Sequence, residues 1–122
     1  MLVAAVACGA ASAQEWPPGC DGIRDARKVH ACRIRIQTAR LRDQVLQALR
    51  DPYSAVFSDE ALYASDDPPA HALCGRLNSK NAFGGYVGTA GFISTTTGLV
   101  RLQASEPDGF GTLWAMFCTR PL

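Results

Sequence analysis

The sequence predicts an α+β domain in which one long N-terminal helix packs on an antiparallel meander of four or five strands, stapled by disulfides. Residues 23–49 contain no proline or glycine, which indicates a single helix. From residue 55 onwards, short apolar runs alternate with clusters of turn-forming residues, as is typical of antiparallel strands. The chain has 122 residues and a net charge of +1, so we expect one globular domain of ordinary composition, spanning residues 14–122.

The first thirteen residues are predicted to be a signal peptide. Apolar residues dominate positions 1–10, and Ala11-Ser12-Ala13 is a small-residue cleavage site that would leave Gln14 at the mature N-terminus. No Lys or Arg precedes the apolar run, so either the natural start lies upstream or the signal is weak. A lipoprotein anchored through Cys8 is the second choice, because residues 5–8 loosely resemble a lipobox. The expected location is the periplasm or the extracellular space.

The predicted helix follows an N-cap at Asp21 and ends before Pro52. Its apolar and small side chains recur every three or four residues and therefore share one face. The members of this face are Ala31, Ile34, Thr38, Leu41, Val45, Ala48 and Leu49. Basic side chains line both edges of the face, and we take Arg35 and Arg42 as candidate binding residues.

Charge is unevenly distributed along the chain. Residues 21–50 contain eight basic residues and three acids, whereas residues 51–70 contain five acids and no Lys or Arg. Either the two segments lie side by side and partly neutralise each other, or the basic segment meets an anionic partner. Both interpretations remain open from the sequence.

Four cysteines remain once the leader is removed, and an even number in a small exported chain predicts two disulfides. Cys74 and Cys118 both lie in strand-like runs, so we favour a Cys74–Cys118 bond and, by exclusion, Cys20–Cys32. Because paired Cα atoms lie within about 7 Å, the second bond requires the chain before Cys32 to fold back, with the helix starting nearer Val29. Cys32 would then lie on the outward side of the helix. The other two connectivities stay open.

Five strands are predicted, at residues 55–64, 71–78, 85–94, 99–104 and 112–118. Breaker residues at 65–69 and 95–98 separate neighbouring strands. Side chains alternate between the two faces of a strand, so Leu73 and Leu77 should lie on one face and Cys74 and Arg76 on the other.

Residues 73–92 concentrate glycine and aromatic side chains and predict a β-hairpin with unusual backbone requirements. Its turn would span residues 78–81, because asparagine tolerates left-handed conformations. Gly85 is expected to exclude a side chain. The candidate binding residues of the hairpin are Asn78, Lys80, Asn81 and Tyr86. A phosphate-binding loop is not predicted, since the glycines lead into a strand and not a helix.

Residues 45–93 contain two recognisable patterns. They are L-x-D-P-x-S-A-x-F at 49–57 and C-G-x-x-N-x-K-N-x-F-G-G-Y-x-G at 74–88, with Phe92 beyond them. Together they resemble a group of small exported proteins of proteobacteria and their prophages. The resemblance implies an envelope location and a shared fold, and it implies no catalytic residues.

No catalytic signature is present: the sequence lacks GxSxG, HExxH, CxxC and a paired-carboxylate arrangement. His71 and Cys74 are three residues apart on a predicted strand and would point to opposite faces. We expect no cofactor, no metal and no transmembrane span. The expected function is a non-enzymatic interaction module whose partner is an envelope protein or an anionic envelope component, and not nucleic acid. A small envelope hydrolase or peptidoglycan-active enzyme is the alternative.

Overall fold

The computed structural model describes residues 15–122. The predicted signal peptide, its cleavage site and Cys8 lie outside the described residues. The elements are α1 (Ala26–Leu46), a 3₁₀ turn (Pro52–Ser54), β1 (Val56–Asp66), β2 (Pro69–Asn78), β3 (Ala90–Thr95), β4 (Val100–Leu102) and α2 (Phe110–Phe117). The predicted α+β class is confirmed, because a long helix packs on an antiparallel sheet stapled by two disulfides.

The four strands of the described chain form one sheet in the order β1-β2-β3-β4, and each strand runs antiparallel to its neighbour. This is the predicted meander. The strands predicted at 55–64 and 71–78 are confirmed as β1 and β2, with ends that differ by at most two residues from the predicted ones. The strand predicted at 99–104 is confirmed in its central part, as the short strand β4.

Helix α1 begins at Ala26, after an N-cap at Asp25. The Asp25 carboxylate accepts hydrogen bonds from the backbone N–H groups of Arg27 and Lys28, at 2.9 and 3.1 Å, and so satisfies two of the free donors at a helix start. The predicted cap at Asp21 is therefore wrong, and the helix is not strictly N-terminal. Residues 15–25 instead bring Cys20 close to Cys32, with which it forms a disulfide. A continuous helix through both residues would keep the two cysteines too far apart for this bond.

The centre of α1 packs on one face of the sheet. Leu41 and Val45 lie in a buried cluster with Leu62, Leu73 and Phe92, each at most 4% exposed. This part of the predicted apolar face is confirmed.

Ala31 and Ala48 belong to the predicted face but are exposed, and the buried Gln37 and partly buried Gln44 take part in the contact instead. Gln44 Nε2 donates to Ser94 Oγ and to the Thr95 carbonyl, both at 2.9 Å. The contact between α1 and the sheet therefore includes polar side chains, Gln37 and Gln44 of α1 and Ser94 of β3, which we call the polar seam. Apolar periodicity in the sequence does not reveal these residues.

The strand predicted at 112–118 is wrong, because this segment is helix α2. Phe110, Leu113, Trp114 and Phe117 recur at spacings of three and four, which is the helical period. They pack against Cys74 and its apolar neighbours on the face of the sheet opposite α1. The sheet is thus covered on both faces, and the predicted alternation of Leu73 and Cys74 between faces is confirmed.

Both predicted disulfides are present, each with 6.0 Å between Cα atoms. Cys74–Cys118 joins β2 to the end of α2 inside the core, where the two residues are 1% and 5% exposed. Cys20–Cys32 holds the N-terminal segment against α1. Cys32 is 6% exposed even though helical geometry puts it opposite Leu41, because this segment covers it.

The connection between β2 and β3 differs from the predicted hairpin. A strand was expected from residue 85, directly after a turn at 78–81, but β3 begins at Ala90. Residues 79–89 instead form a loop that leaves the sheet, which we call the 79–89 loop. Gly85, expected to exclude a side chain, has nothing within 4 Å of the position of a Cβ atom.

Candidate functional site

Hydrogen bonds from two asparagine side chains shape the 79–89 loop. Asn81 Oδ1 accepts from the backbone N–H groups of Phe83 and Gly85, at 2.9 and 3.2 Å. Asn78 Oδ1 accepts from Gly88 N–H at 3.1 Å, across the base of the loop. The two asparagines therefore shape the loop through their side-chain oxygens, as short polar side chains do in turns.

Lys80 and Tyr86 face each other across the loop. They form an isolated antiparallel bridge, and the Lys80 ammonium lies 5.6 Å from the centre of the Tyr86 ring, within cation–π range. Lys80 N–H also donates to Ser54 Oγ at 2.9 Å, which fixes the loop to the 3₁₀ turn. Lys80, Asn81 and Tyr86 thus lie together in the loop, and Asn78, the last residue of β2, lies at its base.

The apolar side chains of the loop point into solvent. Phe83 is 97% exposed, and Tyr86 and Val87 are each 52% exposed. Tyr53, which precedes the Ser54 contact with the loop, is 99% exposed. Large apolar side chains concentrated on one exposed segment are typical of an interaction surface.

A groove of about 420 Å³ lies beside the loop. Its walls are Leu49 and Arg50 after α1, Lys80 and Phe83 of the loop, and Leu102 at the end of β4. Among its lining residues, all of them in the described part of the chain, Arg50 and Lys80 are the charged ones. Most of the lining residues are apolar or small, and the two charged ones are both basic.

Arg42 is engaged in the fold and lies away from the groove. Its guanidinium donates two hydrogen bonds to the Glu60 carboxylate and lies 5.3 Å from the centre of the Phe57 ring. The hydrogen bonds to Glu60 raise the pKa of Arg42, with the negative charge of Glu60 acting in the same direction. At this contact the basic and acidic segments lie side by side.

A β-bulge directs Glu60 toward Arg42. Ser58 pairs with Arg76 and Ala61 with Cys74, so two residues of β1 oppose the single residue Gly75 of β2. A Cβ atom on Gly75 would lie 3.0 Å from the backbone of β1. Glycine at this position therefore allows the bulge to form.

Arg35 lies on the exposed side of α1, and its Nη2 is 3.9 Å from Cys32 Sγ. It is on the helix face that carries the N-terminal segment, away from the 79–89 loop. Of the six candidate binding residues, four lie in the 79–89 loop or at its base, whereas Arg35 and Arg42 lie on α1.

His71 is buried, at 4% exposure, between α1 and the sheet. Gln37 Nε2 donates to its Nδ1 at 3.1 Å, and the Trp16 ring lies 4.5 Å from its ring, centre to centre. Burial lowers the pKa of His71, which favours the neutral imidazole. Its described partners are an amide and an indole, so His71 is not paired with the carboxylate that a hydrolase would place there.

Within residues 15–122, no group of three or more His, Cys, Asp or Glu side chains could hold a metal ion. Over the same range, no helix combines the length and the apolar character needed to cross a membrane.

Sequence reasoning missed Phe83 and the groove. The signal for Phe83 was its position between an Asn-based turn and two glycines, Gly84 and Gly85, which favours a protruding loop over a strand. The groove has no local sequence signal, because its walls come from three separate parts of the chain.

Comparison of the chain with models of protein families, with curated proteins and with solved structures finds no match. The properties of the site therefore rest on the residues of this chain alone.

Proposed function

We propose that this protein is an exported, non-enzymatic interaction module that binds an acidic, partly apolar segment of an envelope protein. The observation that carries the proposal is Phe83, 97% exposed at the tip of a loop whose backbone is fixed by Asn81. An aromatic side chain in that position contributes nothing to the core. A loop that is already ordered loses little entropy when a partner binds, which raises affinity.

The charge of the site favours an acidic partner. Arg50 and Lys80 both line the groove beside apolar side chains. A partner with a carboxylate next to a leucine or phenylalanine would satisfy both features, since aromatic and basic groups at the centre of a patch are typical binding hot spots. Electrostatic attraction of this kind mainly raises the rate of association.

Two further observations support export. The described chain contains two disulfides, which form and persist in oxidising compartments. The patterns at residues 49–57 and 74–88 resemble small exported proteins of proteobacteria and their prophages. Both fit a protein that acts outside the cytoplasm, in the periplasm or beyond it.

Site-specific photocrosslinking tests the proposal directly. A photoreactive phenylalanine analogue replaces Phe83 in one sample and Met116 in another, and each protein is irradiated with solubilised envelope. Met116 is the matched control because it is an exposed apolar residue, at 44%, on α2 and far from the loop in the chain. We expect a discrete protein adduct at position 83 and none at 116.

Two variants then measure how much the charge of Lys80 and the ring of Phe83 contribute to binding of the partner. Phe83→Ala and Lys80→Glu should each weaken binding of the crosslinked partner by about tenfold or more, as expected for hot-spot residues. Their melting temperatures should stay close to that of the wild type, because neither side chain is in the core. Equal adducts at both positions, or no adduct at position 83, would contradict the proposal.

A further inference from the structure

A second cleft, of about 450 Å³, lies on the face of the sheet that carries α2. We call it the aromatic cleft. Its lining includes Asp59, Arg76, Gln103, Phe110 and Trp114. Its volume is within the range of small-ligand sites, and its lining combines aromatic rings with planar polar groups.

The aromatic side of the cleft, formed by Phe110 and Trp114, depends on the absence of a side chain at Gly91. A Cβ atom on Gly91 would lie 2.9 Å from two atoms of the Phe110 ring, so the missing side chain lets Phe110 rest directly on β3. Trp114 packs beside Phe110, with 5.8 Å between ring centres and 38° between planes. Trp114 remains partly exposed in this position, so indole surface is left at the cleft.

The polar wall comes from three side chains of different charge. Asp59 lies on the β-bulge and has a left-handed backbone, with φ of 54°. Arg76 donates through Nη2 to the Thr89 carbonyl at 3.3 Å, and Gln103 Oε1 accepts from Gly91 N–H at 2.8 Å. These bonds orient the guanidinium and the amide along the cleft.

Asp59 is exposed to solvent at the cleft. Within residues 15–122 its carboxylate takes part in no ion pair and in no side-chain hydrogen bond, although Arg76 lines the same cleft. Aspartate tolerates the left-handed conformation better than most residues that carry a side chain. The bulge therefore places a carboxylate among the residues that line the cleft.

We propose that the aromatic cleft binds a neutral saccharide unit. A sugar ring presents an apolar C–H face to an indole and neighbouring hydroxyls that both donate and accept hydrogen bonds. A carboxylate accepts such bonds, a guanidinium donates them, and the amide can do both. The opposite charges of Asp59 and Arg76 cancel, so the cleft gives no preference for a ligand with net charge. The cleft and the 79–89 loop use different side chains, so this inference does not depend on the protein-binding proposal.

NMR titration of the folded protein with N-acetylglucosamine and with its β-1,4-linked disaccharide tests the inference. We expect saturable shifts at the Trp114 indole N–H and at the Gly111 amide, which line the cleft. The amide of Phe83 should not move. The disaccharide should bind more tightly than the single sugar, because it covers more of the aromatic surface.

Asp59→Asn is the decisive variant, since asparagine also tolerates the left-handed conformation and differs only in charge and one hydrogen-bonding atom. Loss of a charge-assisted hydrogen bond should raise the Kd by about tenfold or more. Phe83→Ala is the control and should leave the Kd unchanged. The inference is overturned if neither saccharide gives saturable shifts, if Asp59→Asn binds as tightly as the wild type, or if free glycine saturates the cleft and the saccharides do not.

Discussion

Gly75 shows how a single residue positions side chains on both faces of the sheet. It lies opposite two residues of β1, and the absence of a Cβ atom allows their backbone to approach. One of those residues, Glu60, then reaches Arg42 on α1, while the other, Asp59, lines the aromatic cleft. Replacement by any larger residue would disturb both contacts at once.

His71 is the residue whose titration we expect to affect stability. Burial lowers its pKa, so the unfolded chain binds a proton below about pH 6.5 under conditions where the folded protein does not. More protons bound in the unfolded state means that the free energy of unfolding decreases as the pH falls through this window, by at most about 1.4 kcal/mol per pH unit.

Denaturant unfolding between pH 7.5 and pH 5 measures this effect. His71→Gln should remove the corresponding part of the pH dependence. If the wild type and His71→Gln lost stability in parallel, His71 would not be the group responsible.

At the level of elements, α2 shows why the sequence was misread. Its apolar run is as short as a strand, and its aromatic residues favour strands by composition. The spacing of Phe110, Leu113, Trp114 and Phe117 nevertheless fits a helix. Length and composition alone cannot decide between the two for such a segment, and here the periodicity was the correct signal.

The 79–89 loop is an element whose order depends on two side chains. Asn81→Ala removes the acceptor for two backbone N–H groups, so we expect the tip of the loop to become mobile on the nanosecond timescale. The measurement is ¹⁵N relaxation, in which the order parameter of Phe83 should fall below about 0.6. Partner affinity should fall as well, since the partner must then order the loop.

Asn81→Asp is the control for this prediction, because its carboxylate can accept the same hydrogen bonds. It should keep a rigid loop. The melting temperature of Asn81→Ala should change by only a few degrees, because residues 81–89 are exposed. A large loss of stability with an unchanged order parameter would mean that the loop supports the fold and is not shaped for binding.

For the whole molecule, the sequence was sufficient to predict those features of the fold that depend on local residue patterns. The α+β class and the meander followed from periodicity and turn residues. Both favoured disulfides are present, but the argument for Cys74–Cys118 was wrong in one part, because Cys118 lies at the end of α2 and not in a strand. The polar seam could not be predicted, because the partly buried Gln44 finds its hydrogen-bond partner in Ser94, which lies far along the chain. The groove and the aromatic cleft were missed for the same reason: each is assembled from several elements.

The two disulfides join different parts of this molecule, so we expect their removal to have different consequences. In the chain-entropy model, closing the loop between Cys20 and Cys32, separated by 12 residues, contributes about 3 kcal/mol. The loop between Cys74 and Cys118, separated by 44, contributes about 4 kcal/mol. Replacing both cysteines of one pair by alanine and measuring denaturant unfolding compares these values.

Loss of the Cys20–Cys32 disulfide should also have a local effect on the N-terminal segment, which loss of Cys74–Cys118 should not have. Without Cys20–Cys32, the N-terminal segment is no longer tied to α1, and Trp16 should leave His71 before the sheet unfolds. Replacing Trp114 by phenylalanine leaves Trp16 as the fluorescent tryptophan. In the Cys20→Ala/Cys32→Ala protein, the Trp16 fluorescence should therefore change at a lower denaturant concentration than the circular dichroism of the helices. In the Cys74→Ala/Cys118→Ala protein the two transitions should coincide at a lower midpoint, because that bond ties α2 to β2, the strand whose other face packs against α1. Coincident transitions in the first protein would show that packing alone holds the segment in place.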